Sequence, residues 1–514
     1  MLCRLKENIN KYKKTFLGIW VSSCVMYLLL MMHQLVNSYD GLWEYSYYLA
    51  SGWELTLGRW FWLYIDRLRM GISVDPLTSI LALGCFSLGM IVLFELFEIE
   101  NKKIAYLTGV LFLSSTAVCV SLSYRYMSPT FGIAFLLSIL AAFCMMKIKN
   151  TYAAVLLGAG FVAFSMGAYQ AYIGCTCVVL LGYLLYSTYH KTLKEIVGLM
   201  LRCVISVILG GGLYVGILHA HLAYFNKTLS GYNGADTYSF GNSLSHIFES
   251  IQRTYITFCQ YFFDKVYLSN IFQNYKIYYI LFAVVLVGYF MTLPGIWKKS
   301  KGNVFLNVLF LTAFPIACGA VLLIATAAGM SIQMTAPYGL LFPVLLSVFF
   351  GIGQPGKWVR RFGMVYVAAM LLLLYGNVYQ VQIDQNAMLE GKIATTSMAS
   401  GIVDDLKDEE CLGPDLTYCI IGLPAGNPLF AVSELYGSAN TYGKFGCWWL
   451  EASCARRSWN GVFSYLCGIH LPMANAGTYE MMMSEKEVKN MPVYPQEGYI
   501  KRVDHVVVIK VAEY

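Results

Sequence analysis

Charge is scarce in this sequence. Asp, Glu, Lys and Arg make up 13% of the 514 residues, whereas a soluble domain carries about 25%. The scarcity excludes an ordinary soluble globule, because most of the chain must face lipid or other apolar helices. The formal net charge of +7 is not a nucleic-acid signature either, since Lys and Arg collect at the ends of apolar segments. No Cys-x-x-Cys or Cys/His spacing suggests zinc. Six of the cysteines (Cys24, Cys85, Cys119, Cys144, Cys175, Cys177) lie inside apolar runs, as small hydrophobes. Five more (Cys411, Cys419, Cys447, Cys454, Cys467) fall near the C-terminus, and an odd set argues against a closed disulfide framework. Heptads, low-complexity segments and a convincing internal repeat are also missing, which weakens an inverted-repeat transporter. Inside the apolar runs ionisable groups are almost absent. Glu95 and Arg202 lie near segment ends, where long side chains snorkel. Transporters and proton relays place such groups at mid-depth, so their absence counts against transport.

What is abundant is apolar and aromatic. Hydrophobic residues make up 58% of the chain and aromatic residues 15%, with 39 Tyr and 10 Trp, a surplus that suits membrane interfaces. A helical span needs roughly 20 apolar residues. About eleven candidates follow, near 15–33, 77–97, 104–122, 130–147, 152–167, 170–188, 203–223, 277–295, 304–325, 337–352 and 363–381. The run Gly210-Gly211-Gly212 is expected to loosen or kink the seventh. The opening "MLCRLKENINKYKK" is basic and lacks a small-residue cleavage site after the apolar run, so it reads as a retained signal anchor. With the N-terminus inside, every inner loop is basic: Lys102 and Lys103, Lys147 and Lys149, Lys191 and Lys194, Lys298, Lys299 and Lys301, then Lys357, Arg360 and Arg361. The outer loops after the fifth and ninth spans have no Lys or Arg, and the loop after the third has only Arg125. That alternation is the positive-inside pattern. It puts 34–76, 224–276 and the tail 382–514 outside. Strand-like runs "LTYCIIG" and "DHVVVIKV" in the tail predict a small α/β or α+β domain. The expected fold is therefore an all-α polytopic membrane protein of residues 1–381 with an extracytoplasmic domain at 382–514.

Polar groups gather at the outer loops. The first offers Asp40, Glu44, Glu54, Arg59 and Asp66. The second reads "SYRYMSPT", with Arg125 between Tyr124 and Tyr126. The third reads "SMGAYQAY", with Gln170 after Tyr169. A carboxylate can take a proton from an acceptor hydroxyl. An arginine fork can pair with phosphate oxygens. Aromatic faces and amides can hold a sugar ring. Plainer roles compete with these. Asp40 before Gly41 suits a turn or an N-cap. Trp43, Tyr47, Trp53, Trp60 and Trp62 suit an interfacial amphipathic helix. Arg59 suits a pair with Glu54 or a lipid headgroup, Arg125 a snorkelling anchor, and Gln170 a bridge between helices. Asp404-Asp405 reads as solvated surface, and Asn226-Lys227-Thr228 is a sequon too common to use. The first loop has no Asp-x-Asp motif, so nothing there points to a divalent metal, and no cofactor is expected.

Several stretches in order carry a resemblance: "NSYDG", "LTLGRWF", "SYRYMSPTFGIAFLLSILAAF", "SMGAYQAYIG" and "MPVYPQEGYIKRVDHVVVIKV". Together they resemble the Gtr type II glucosyltransferases, integral-membrane proteins of bacteria linked to O-antigen glucosylation. The resemblance implies a GT-C type fold, a polyprenyl-phosphate sugar donor and an acidic catalytic residue in the first outer loop. On this sequence that residue is Asp40, with Glu44 in reserve. Many relatives carry a second acid next to the first, where this chain has Gly41. Gly58, Arg59 and Trp60 match a Gly-Arg-Trp motif of unassigned role. Arg59 and Arg125 are the expected phosphate ligands, and Trp60, Tyr124, Tyr126, Tyr169 and Gln170 the expected sugar contacts. The implied partners are a polyprenyl-phosphate sugar, an envelope glycan and the lipid bilayer of the bacterial cytoplasmic membrane, with no nucleic acid. A lipid-linked sugar flippase, a polymerase-like or ligase-like enzyme with a diphosphate-linked donor (for which Arg253 is a further outer cation), and a scaffold with a sensory tail are the alternatives.

Overall fold

Backbone polar groups in lipid have to be satisfied within the segment, so long apolar runs fold as helices. In the computed structural model, which describes residues 2–513 apart from 238–239, 265, 269–275, 298–299, 326–328 and 353–356, eight helices are long and apolar enough to cross a membrane. They are Leu77–Leu96, Ser128–Lys147, Thr151–Ala168, Gln170–His190, Leu193–Tyr224, Ile277–Trp297, Ile332–Gly351 and Lys357–Asp408. Lys102–Leu113 and Thr116–Ser123 make a ninth if the pair, bent by 49°, is one span.

The two other expected segments are broken. The stretch 15–33 divides at Tyr27 into Leu2–Met26 and Leu28–Met32. The carbonyl that the break frees, that of Met26, accepts from Gln382 Nε2 (2.7 Å) and Gln385 Nε2 (3.1 Å), while Gln385 Oε1 takes the Leu30 amide. The stretch 304–325 becomes Lys301–Thr312, Phe314–Cys318 and the 3₁₀ turn Ala320–Leu323. Pro315, with no N–H to donate, sits where the second piece begins. Lys298 and Lys299 of the basic pattern lie outside the described residues, as does part of the 224–276 loop.

The glycine run does not break its helix, which is continuous over Leu193–Tyr224. Gly210 instead permits a close approach: a Cβ there would stand 2.7 Å from Val162 and 2.9 Å from the Ala159 carbonyl. The boundary expected at 381 falls inside the 52-residue helix Lys357–Asp408, about 80 Å long at 1.5 Å per residue.

The C-terminal region carries a three-stranded sheet of β1 (Thr417–Ile421), β2 (Ile500–Val503) and β3 (Val506–Lys510), in the order β1-β3-β2. β1 and β3, the two strands legible in the sequence, pair in parallel, and β2 joins β3 antiparallel. The helix Ala452–Gly461 is anchored to the sheet edge by the buried Trp459, whose Nε1 donates to the Gly422 carbonyl at 3.1 Å. Its last residue, Gly461, meets Leu42 so closely that a Cβ would lie 2.7 Å from Leu42 Cγ. All five C-terminal cysteines are free thiols.

Candidate active site

"NSYDG" builds its own corner. The Asn37 side chain is buried; its Nδ2 donates to the Ser123 carbonyl at 3.0 Å, and its Oδ1 accepts from the Gly41 amide at 2.9 Å. The N-cap of the short helix Asp40–Trp43 is Tyr39, and the Asn37 oxygen takes the amides of Tyr39 and Gly41 beside it. Asp40 is the first helical residue rather than its cap, which leaves its carboxylate for other work. A Cβ on Gly41 would stand 2.6 Å from the Ser123 carbonyl, so no second acid fits beside Asp40 in this backbone.

Asp40 faces a cavity of about 560 Å³. Burial pushes its carboxyl up from 3.8 to about 6, against the pull of the Arg59 and Arg457 guanidiniums. Glu44 lines the same space. Burial raises it too, Arg457 lowers it, and the charges of Asp40 and Glu54 raise it further. Glu54 is buried and committed: its Oε2 accepts from the Ser51 amide at 2.7 Å in a capping box, and its Oε1 accepts from the Tyr48 hydroxyl. Asp66 is structural. It is fully buried, paired with Arg69 Nε at 2.8 Å and accepting from the Ala50 amide at 2.9 Å.

The Gly-Arg-Trp motif acquires a role. Gly58 has φ +82°, and a Cβ there would meet the Tyr214 hydroxyl at 2.4 Å and Gln170 Nε2 at 2.7 Å. Gln170 Nε2 donates to the Leu57 carbonyl at 2.6 Å, so this side chain holds the turn and borders a smaller recess beside the cavity. The turn delivers Arg59 into the cavity, with its guanidinium 4.8 Å from the Tyr169 ring centre and 5.8 Å from that of Trp62. Trp60 goes the other way. It is buried, stacked on His221 at 5.5 Å and pressed on Gly167 of the helix Thr151–Ala168. Gly58→Ala is expected to combine left-handed strain with overpacking, at about 1–3 kcal/mol. A lowered melting midpoint in detergent together with weakened activity checks this.

Tyr124, Tyr126 and Tyr169 line the cavity as expected. Arg125, between two of them, does not. It is 1% exposed, 4.3 Å over the Tyr45 ring, donating to the Tyr45 carbonyl and, at 3.3 Å, to Gln34 Oε1. The side chain that sequence reasoning assigned to phosphate thus braces the loop behind the site. The arginines on the wall are Arg59, Arg456 and Arg457, the last 5.2 Å over the Trp43 ring.

The tail beyond residue 382 was expected to help bind the acceptor glycan, but the residues it contributes were not singled out in the sequence. "WWLEASCARRSWNG" brings Trp449, Glu451, Ser453, Arg456 and Arg457 to the cavity, about 400 residues after Asp40. Its paired tryptophans and paired arginines were the available signal, but no local pattern says which distant loop they meet. Tyr48 and Trp62 of the first loop, Tyr232 of the 224–276 loop and Gln333 and Met334 also line it. Arg253 is not part of it. Among the described residues no three His, Cys, Asp or Glu side chains are grouped to hold a metal ion.

Comparison with curated proteins and with solved structures gives no match. The family model for glucosyl transferase GtrII matches residues 29–348. That range includes Asp40, Glu44, Arg59, Tyr124, Tyr126 and Tyr169 and ends before Trp449 and Arg457. The match spans more than half of the sequence, and the chain belongs to the glucosyl transferase GtrII family.

Proposed function

We propose that the chain moves a glucosyl group from a polyprenyl-phosphate donor to a hydroxyl of an envelope glycan, at the extracytoplasmic face of a bacterial plasma membrane. The observation that carries this reading is the Asp40 carboxylate, raised to about 6 in a cavity that also holds Arg59 and Arg457. Every segment lining that cavity belongs to an outer loop in the basic-residue pattern: the first loop, 124–127, 169, 232, 333–334 and 449–457. Their convergence supports a single reaction site on one side of the bilayer.

The chemistry is a one-step displacement. Asp40 takes the proton of the acceptor hydroxyl as its oxygen attacks the anomeric carbon. The bond between that carbon and the phosphate oxygen breaks, and its electron pair leaves on the phosphate. The anomeric configuration inverts. A phosphate leaves without acid help, so base and charge stabilisation dominate. Arg59 and Arg457, the two guanidiniums whose charges reach Asp40, neutralise the charge that develops on the leaving group.

Purified protein given radiolabelled polyprenyl-phosphate glucose and envelope glycan is expected to move label to the glycan; transfer from a nucleotide sugar alone would overturn the assignment. The base must be ionised to act, so kcat/KM should fall about tenfold per pH unit below the Asp40 value of about 6. Arg457 lowers that value. Arg457→Gln should therefore move the acid limb to higher pH, measured as the pH profile of kcat/KM. The presence of three arginines around one cavity favours a second reading, a diphosphate-linked donor. Competition between monophosphate and diphosphate donors separates the two.

A further inference from the structure

The cavity has two walls of different chemistry. On one side stand Arg59, Tyr169 and Met334, which also border the neighbouring recess of Ala171, Val321 and Leu322. Leu57, Ala235 and Ala325 add to the apolar part of this recess, and it adjoins helices that are long and apolar enough to lie in a bilayer. A lipid-linked donor with its phosphate on Arg59 would keep its hydrocarbon on this side. Another part of the lining comes from the C-terminal region and carries a carboxylate, a hydroxyl and a guanidinium: Trp449, Glu451, Ser453 and Arg456.

Trp449 is the unusual member. Its side chain is 52% exposed, although it is the larger kind of ring that usually dominates cores and interfaces. It is not loose. Its ring centre lies 4.8 Å from that of Tyr39 and 6.4 Å from that of Trp43, the latter edge-on. Trp43 is itself fixed, donating through Nε1 to Ser458 Oγ at 2.8 Å. Beside the ring, Ser453 Oγ donates to Glu451 Oε1 at 2.8 Å, which orients an exposed carboxylate toward the same opening. A rigid, half-exposed aromatic face flanked by a carboxylate, a hydroxyl and a guanidinium matches the two surfaces of a pyranose, an apolar C–H face and a rim of hydroxyls. The base is close in sequence and space: Tyr39, in contact with Trp449, immediately precedes Asp40. In a one-step inversion the base works on the acceptor side, away from the leaving phosphate.

We propose that Trp449, with Glu451 and Ser453, forms the acceptor subsite and stacks the sugar whose hydroxyl Asp40 deprotonates. The proposal rests on the transfer reading above. It makes the C-terminal region, which lies beyond the family match, the part of the chain that selects the acceptor.

The test splits kinetic constants. Trp449→Ala is expected to raise KM for the acceptor glycan about tenfold or more. KM for polyprenyl-phosphate glucose, and the slow hydrolysis of that donor by water, should stay within about twofold of wild type. Trp449→Phe should restore most of the acceptor affinity, and Glu451→Gln should raise acceptor KM by a smaller factor. An unchanged acceptor KM, or a parallel loss of donor affinity and hydrolysis, would overturn the subsite. Failure of the parent reading looks different: wild type itself would leave the donor intact. Calorimetric titration of full-length protein with the free acceptor oligosaccharide then still judges Trp449. Binding lost in Trp449→Ala supports the subsite, and equal binding in both proteins overturns it.

Discussion

Asp40→Asn is expected to lower kcat/KM for glucosyl transfer by about 10²–10⁴-fold, the usual contribution of a positioned general base. The substitution keeps the shape of the side chain and removes only its capacity to accept the proton. Folding should survive it, because the corner is built by Asn37 and the Ser123 carbonyl. No described residue hydrogen-bonds the Asp40 carboxylate, so nothing in the scaffold loses a partner. The sign of the stability effect also follows. Burial raises the folded-state pKa of Asp40 above its ordinary value, so the ionised group destabilises the fold above pH 6 and the neutral amide relieves that cost. The variant should therefore be inactive with a melting midpoint at or above that of wild type. Glu44→Gln should cost less than about tenfold, since Glu44 stands in reserve at the same wall. If Glu44→Gln abolished transfer while Asp40→Asn retained it, the base would be Glu44.

Much of this architecture was legible in advance, for a physical reason. Apolar runs with basic flanks are a one-dimensional record of helices and of the side each loop occupies. Asp40, Glu44, Arg59, Tyr124, Tyr126 and Tyr169, from three separate loops, line one cavity. What stayed hidden depends on geometry that side-chain chemistry does not encode. Trp60 and Trp62 look alike in "GRWFW", yet the left-handed Gly58 sends Arg59 and Trp62 into the cavity and buries Trp60 on Gly167. Arg125 looks like a phosphate ligand between two tyrosines, but the turn after Ser123 points it behind the loop at Tyr45. The helix breaks at Tyr27 and Pro315 interrupt runs whose hydropathy is uninterrupted. Two of the tail's three strands were legible, but its docking is a long-range event that leaves no local trace.

That docking has an identifiable anchor, Asp384, on the helix that links the two halves of the chain. Asp384 is fully buried. It accepts from Gln380 Nε2 (3.0 Å), the Asn440 amide (2.8 Å), Asn440 Nδ2 (2.8 Å) and the Tyr442 hydroxyl. Around it the 440–447 segment lies backbone against helix. A Cβ on Gly391 would stand 2.2 Å from the Phe445 carbonyl, and one on Gly443 would stand 3.1 Å from the Asp384 backbone. Asp384→Ala removes the carboxylate that the Asn440 amide, Asn440 Nδ2 and the Tyr442 hydroxyl share, while Gln380 Nε2 keeps the Ser438 carbonyl at 3.2 Å; each lost bond costs about 1–3 kcal/mol, less than additively. A total loss of about 3 kcal/mol or more is expected, read as a drop in the melting midpoint in detergent. The same segment continues to Cys447, whose carbonyl accepts from Ser38 Oγ at 2.6 Å, and then to Trp449. Loosening the anchor should therefore loosen the C-terminal wall. Hydrogen exchange should rise over 438–451 before it rises in the helices Ser128–Lys147 and Gln170–His190, and transfer to glycan should fall further than hydrolysis of the donor. Asp384→Asn, which keeps one accepting oxygen, should fall between the two. An unchanged midpoint with unchanged exchange in Asp384→Ala would show that the wall is held by packing alone, with Gly391 and Gly443 as its fixed points.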